Sequence, residues 1–486
     1  MLRAKAACDY AKQLKPSLIT SAKTQVVTAA KSVGRVALSL QVKGPIVRVG
    51  ATCPTPGAKA ESSSGLVMCK LLWHENRWSY QLVRGTGIFP GQTNLEQLPV
   101  EQCKIQDQRP FEARVGGSTS FPLVGDRVPA QGELTVAIIP IDYPDATARK
   151  SPMSYISKTL KEIDAWTKFF TENKVRYKWV VLDKWVRMPK ESKYYVEDKS
   201  FVSDGNILTN TRKQLQSKED MIYQVFSEAE KVLDLDSIDA AWVLSNPEAK
   251  LVDFPPGYAN DQKVKTATKT YDLSFWSIGT YTFGNLPEKS HGRPLWSTML
   301  HELGHAHGLA GHAPGNEWTL DHMTAGGVLN AWNGWLTGWI PDEEFVCLDG
   351  TKPGKHRVVL DSVDLNLGGP VAAVVRLSDH EVLVVESRKK GPFSIDQMTG
   401  FNAVTATYID STKLAERYDG NIAKEKLYFS YYVRIENPRR KFVPGTIAPD
   451  TNIFAYLGDT LVHENVRVKV LSNQGFDTVE IQVKAR

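Results

Sequence analysis

The sequence predicts an α+β domain followed by an all-β sandwich domain, with a small cysteine-containing β module ahead of both. Three observations carry this. Strand-like apolar runs alternate with helix-periodic stretches over residues 131–346. From 347 to 486 only short β-branched or aromatic runs occur, separated by Gly, Asp, Asn and Pro. Cys53 and Cys69 bracket fifteen residues rich in Gly, Ser, Lys and Ala between two strand-like arms. A chain of 486 residues exceeds the usual domain size of about 100–200 residues, so several folded units are expected. Fifty-nine Lys and Arg against 54 Asp and Glu leave +5, too weak a field to argue for nucleic acid as a partner. No apolar run is long enough for a transmembrane segment.

Residues 1–45 carry mixed signals and are unassigned; no secretory signal is visible among them. Residues 46–84 read as strand-turn-strand, ending in Trp73, Trp78 and Tyr80. Residues 85–130 are rich in Pro, Gly and Gln, which suits a linker or a pro-like segment. The run LTVAIIPIDYPD then reads as a strand buried on both faces. Over 154–173, Ile156, Leu160, Ile163, Trp166 and Phe170 recur at helical spacing behind Ser154 as N-cap. KWVVLDKWVRM is a further strand. A second helix is expected over 217–233, with Ser217 and Asp220 as a capping box, and IDAAWVLS as the next strand. Beyond Cys347, HRVVLD, VAAVVRL, EVLVVES, AVTATYI, LYFSYYVRI, VRVKVL and TVEIQVKA are the expected sandwich strands.

A disulfide can close the short Cys53–Cys69 loop, where a zinc site would want its ligands in closer pairs. Cys103 and Cys347 can form a second bridge, leaving Cys8 unpaired; separate buried thiols are the alternative. Two bridges would point to an oxidising compartment, hence to a secreted or extracellular protein.

Six of the ten histidines fall between positions 291 and 322. Within them His301-Glu302-Leu303-Gly304-His305 has the HExxH arrangement. On a helix, residues four apart share a face, so His301 and His305 can converge on one Zn2+ while Glu302 reaches a metal-bound water as the catalytic general base. Pro294 suits a first helical position, and Leu295, Met299 and Leu303 form the apolar stripe. Gly308 suits the left-handed turn that ends the helix and brings the chain back, with His312 as third metal ligand. Three protein ligands and one open position are the pattern of a catalytic zinc site.

HELGHAHGLAGH followed by LDHMTAGG resembles the metzincin pattern HExxHxxGxxH with its Met-turn, in which Met323 would form the floor under the metal. With VAIIPIDYPD, DKWVRMPKESKYY, LNAWNGWLTGWIPDEEFVCL and VLVVESR, the order of pieces over about 130–410 is similar to the immune-inhibitor-A-like bacterial zinc metallopeptidases and, more distantly, to gametolysin. The resemblance implies a secreted zinc endopeptidase acting on a protein or peptide substrate, with a zincin-type catalytic domain over 131–346 and a β-rich domain behind it. The chain departs from the pattern at one point: Gly311 occupies the third-ligand position and His312 follows it, which keeps Asp321 and Glu317 open as alternative ligands.

His307 lies two residues from His305 and off the ligand face, so it reads as a solvated or supporting side chain, and His322 as a structural one; His291 has no argued role. Trp332, Trp335 and Trp339 read as a packing stripe, and Glu386 as an ion-pair partner of Arg388. TYDLSFWSIGTYTFGN offers a strand edge against which a peptide can pair. The rival reading is a secreted or surface binding protein with a β-sandwich recognition domain and a structural or degenerate metal site.

Overall fold

Short apolar, β-branched runs outnumber the helix-periodic stretches, and the computed structural model is accordingly mixed α/β, mostly sheet with few helices. It describes residues 59–62, 65–72, 77–82, 95–110, 117–124, 128–195, 212–247, 249, 263–278, 294–310, 327–366, 368–394, 402–413, 430–438, 451–473 and 476–485, all within the compact unit Ile46–Arg486.

Strands β1 (Lys59–Ser62), β2 (Gly65–Leu72) and β3 (Arg77–Leu82) form an antiparallel meander. Cys53 and Cys8 lie outside the described residues. Strand β4 is short (Gln97–Leu98). Next comes a parallel sheet built from β5 (Gly132–Asp142), helix α1 (Pro152–Phe170), β6 (Val175–Val181), β7 (Val186–Arg187), helix α2 (Arg212–Ala229) and β8 (Ala240–Ser245). An antiparallel pair, β9 (Lys263–Lys265) and β10 (Thr270–Asp272), precedes β11 (Ser274–Ile278). The sheet order is β11-β8-β5-β6, with β7 also on β5, and all pairings are parallel. β11, the strand read as a peptide-pairing edge, stands at the end of that order.

The alternation of β5 explains how the sheet is covered. Val136 and Ile138 face one core with Leu160, Ile163 and Trp166 of α1, whereas Ala137, Ile139 and Ile141 face another with Met221, Val225 and Phe226 of α2. The helices begin earlier than their sequence patterns suggest. Ser151, not Ser154, precedes α1, and Ser154 Oγ bonds back to Ser151 O. Helix α2 starts five residues before Ser217, so its first turn lies upstream of the expected one, and the Asp220 carboxylate accepts from Tyr194 OH at 2.6 Å.

Helices α3 (Leu295–Ala306) and α4 (Ala331–Leu336) follow, then β12 (Phe345–Asp349), β13 (Gly354–Leu360), β14 (Ala372–Arg376), β15 (Glu381–Arg388), β16 (Ala403–Asp410), β17 (Ser430–Tyr432), β18 (Thr460–His463), β19 (Val466–Ser472) and β20 (Asp477–Val483). They make a six-stranded sheet, β17-β16-β15-β14-β12-β4, and a four-stranded one, β13-β20-β19-β18. Leu348, Val375, Leu383 and Val385 of the first share an apolar core with Val358, Val468, Val479 and Ile481 of the second. The opposite face of the six-stranded sheet, through Val374, Val382 and Val384, joins the core of α1, α3 and α4.

The stretch read as a linker or pro-like segment is built into this architecture. β4 pairs with β12, Cys103 is bridged to Cys347, and Cys103, Ile105 and Val128 enter the core beside α3. Gly- and Pro-rich composition favours extended chain, and extended chain can pair as well as connect. Among the described residues no helix is long and apolar enough to cross a membrane.

Candidate metal centre

Pro294, in extended conformation, precedes α3 rather than opening it, and Ser297 Oγ bonds to its carbonyl at 2.8 Å. Trp296, Met299, Leu300 and Leu303 bury one face of the helix and so fix its rotation. That rotation sets His301 and Glu302, both buried, beside the partly exposed His305. The imidazole and carboxylate donor atoms of these three residues all lie within 4.8 Å of one another, and the two rings stand edge to face at 4.9 Å. Two imidazoles four residues apart on one helix flank, with a carboxylate beside them, can hold a metal ion. With its proton on Nδ1, His305 donates to Leu309 O at 3.2 Å, which turns Nε2 into the nitrogen for a metal.

The helix ends as its glycine predicts. Gly308 has φ of +94°, a conformation that L side chains rarely adopt, and its N–H bonds to His305 O while Leu309 N–H bonds to Gly304 O. The turn is held by the N-terminal segment: Ser118 N–H donates to Gly308 O at 2.7 Å and Ala310 N–H to Ser118 O at 3.1 Å. A Cβ on Gly117 would sit 2.7 Å from the Leu309–Ala310 backbone, so only glycine permits this approach. Gly117 O is in turn held by Arg109, whose guanidinium is buried against Asp107 at 2.6 Å. Burial alone would raise the Asp107 carboxyl, but the hydrogen bonds and charge of Arg109 outweigh it and hold it below its usual value.

His307 is not solvated. It is fully buried, with Nε2 on Tyr177 OH at 2.8 Å and Nδ1 facing Val128 O at 3.4 Å, between the Tyr177 and Trp339 rings. Burial pushes its pKa down to about 4, so the ring is neutral at pH 7 and ties the end of α3 to β6.

The tryptophans are packing residues, but not one helical stripe, because α4 ends at Leu336 and Trp339 lies beyond it; each has its indole N–H satisfied, Trp332 on Thr119 O, Trp335 on Asp342 and Trp339 on Ala130 O. Glu386 does pair with Arg388, at 3.4 Å, but it also reaches across to α4 and accepts the Ala331 N–H at 2.7 Å. That long-range contact has no local signal in the sequence. His312, Glu317, Asp321, His322, Met323 and His291 lie outside the described residues.

No family model matches the chain, and no curated protein matches it.

Proposed function

We propose that this chain is a zinc-dependent endopeptidase, with a zincin-type α+β catalytic domain followed by a β-sandwich domain. The observation that carries the reading is the convergence of His301, Glu302 and His305 on one flank of a helix whose other face is locked into the core. His301 and His305 would hold the zinc, with His312 as third ligand and Asp321 as its alternative, and Met323 beneath. When bound, the zinc acidifies its water and polarises the scissile carbonyl. Glu302, next to the ligand pair, accepts the proton of the attacking water and returns it to the leaving amine. Its burial keeps bulk water from competing for that proton. The Cys103–Cys347 bridge suits a secreted protein acting on polypeptides outside the reducing cytosol.

The test is hydrolysis of an unfolded protein substrate by the purified chain, with and without chelator, beside Glu302→Gln. The expected result is chelator-sensitive cleavage that falls about 10²–10⁴-fold in the variant while zinc is retained. Equal cleavage by parent and variant would remove Glu302 as the general base, whereas no cleavage from a parent holding one zinc per chain would favour the binding protein with a silent site.

A further inference from the structure

The chain leaving the metal helix is gripped at two places. At Gly308–Ala310 the grip is the backbone of Ser118. At residues 327–331 it comes from three side chains of distant elements. Trp166 Nε1 donates to Gly327 O at 3.1 Å. Arg388 reaches Val328 O at 3.5 Å and Leu329 O at 3.4 Å, and Glu386 Oε2 accepts the Ala331 N–H at 2.7 Å. Between the two grips lie residues 311–326, where the sequence places His312, Asp321 and Met323.

Glu386 and Arg388 sit at the end of β15, in the C-terminal region, and both are fully buried with Asp364, which Arg388 meets at 2.9 Å. Buried ion clusters of this kind are commonly no more stabilising than apolar residues of equal volume. What an apolar replacement cannot supply is an acceptor for a backbone N–H and a fork for two backbone carbonyls. We infer that Glu386 and Arg388 are positioning residues of the metal centre, through which the C-terminal sheet fixes residues 328–331, which share a core with the metal helix. The inference rests on the metallopeptidase reading.

Glu386→Leu removes the acceptor, Glu386→Gln keeps one, and Val479→Ala is a destabilised control in the core far from the helix. Zinc affinity is measured by competition with a chromophoric chelator, and amide exchange over residues 327–336 in the zinc-free proteins. Expected is a zinc dissociation constant raised about 10–100-fold in Glu386→Leu, with faster exchange, near-parent values in Glu386→Gln and no change in Val479→Ala. A folded Glu386→Leu with parental zinc affinity overturns the inference. Should Glu386→Leu fail to fold, Arg388→Lys, which keeps the charge without the fork, is judged by the same two readings. A parent that binds no zinc sinks the metallopeptidase reading itself, which is a different outcome from a parent and variant that bind it alike.

Discussion

The parallel sheet and the six-stranded sheet are both covered on two faces, yet their buried residues differ in kind. In the first, β5 and β8 alternate Val136, Ile138 and Trp242 on one side with Ile139, Ile141 and Val243 on the other, which removal of apolar area from water explains, and buried polar residues enter only at the strand ends, where Asp142 meets Arg187 and Ser245 meets Tyr143 OH. In the second, β15 alternates Val382 and Val384 with Leu383 and Val385 and then runs into Glu386, Ser387, Arg388 and Lys389, all buried. Area cannot explain that run. Each of its members is answered: Arg388 by Asp364 and Glu386, Lys389 by Asp477 at 2.6 Å, and Ser387 by the same Asp477 at 2.7 Å. A sheet that supplies only burial tolerates changes of side chain at constant volume, whereas a sheet that supplies directed contacts does not.

The largest effect is expected where the six-stranded sheet is joined covalently to the N-terminal segment. Cys103 and Cys347 are 244 residues apart, so on the chain-entropy account their bridge constrains the unfolded chain by about 5 kcal/mol. Cys103→Ala with Cys347→Ala should lower the urea midpoint accordingly under non-reducing conditions. A midpoint that does not move would mean that β4 pairing and Leu95 in the far core hold the segment unaided.

Next is the charged run itself. Arg388→Met leaves the Asp364 and Glu386 carboxylates together without their cation and should cost about 3–5 kcal/mol. Adding Glu386→Leu and Asp364→Leu should restore most of that loss in a denaturant titration, because a whole apolar set replaces a broken polar one. If the triple variant were less stable than the single one, the cluster would be a source of stability, and the contrast between the two sheets would fall.

The part of the molecule resting on local periodicity was legible in advance. The β5 run, the amphipathic α1, the HExxH helix and its Gly308 turn follow from spacing alone; the Cys103–Cys347 bridge is one of two readings the cysteines leave open, beside separate buried thiols, and the structure forms it. What was not legible depends on partners far along the chain. His307 lies off the ligand face as its spacing implies, but only the arrival of Tyr177 and Val128 decides that this face is buried. Glu386 reads locally as half of an i, i+2 ion pair, and its bond to Ala331, 55 residues earlier, becomes visible only once β15 and α4 meet. The 85–130 stretch has the composition of a connector, and nothing in it signals that Ser118 will bridge to the turn after the metal helix.

The smallest expected effect sharpens the comparison from the other side, by removing a directed contact within the parallel sheet. Tyr177→Phe keeps the ring that stacks on His307 and deletes only the hydroxyl bonded to Nε2. With Nδ1–H directed at Val128 O, Nε2 is the acceptor, and losing its donor in a fully buried site should cost about 1–2 kcal/mol. His307→Phe beside Tyr177→Phe removes both polar groups and leaves neither with a buried, unanswered valence. The double variant should therefore lose less than the two single losses added together, with a coupling on the order of 1 kcal/mol in a double-mutant cycle. Additive losses would show that the bond contributes nothing beyond packing, and that apolar burial accounts for the end of α3 as fully as it accounts for β5. A Tyr177→Phe loss as large as that of Arg388→Met would show the opposite: that the parallel sheet, too, depends on directed contacts, concentrated where the metal helix meets it.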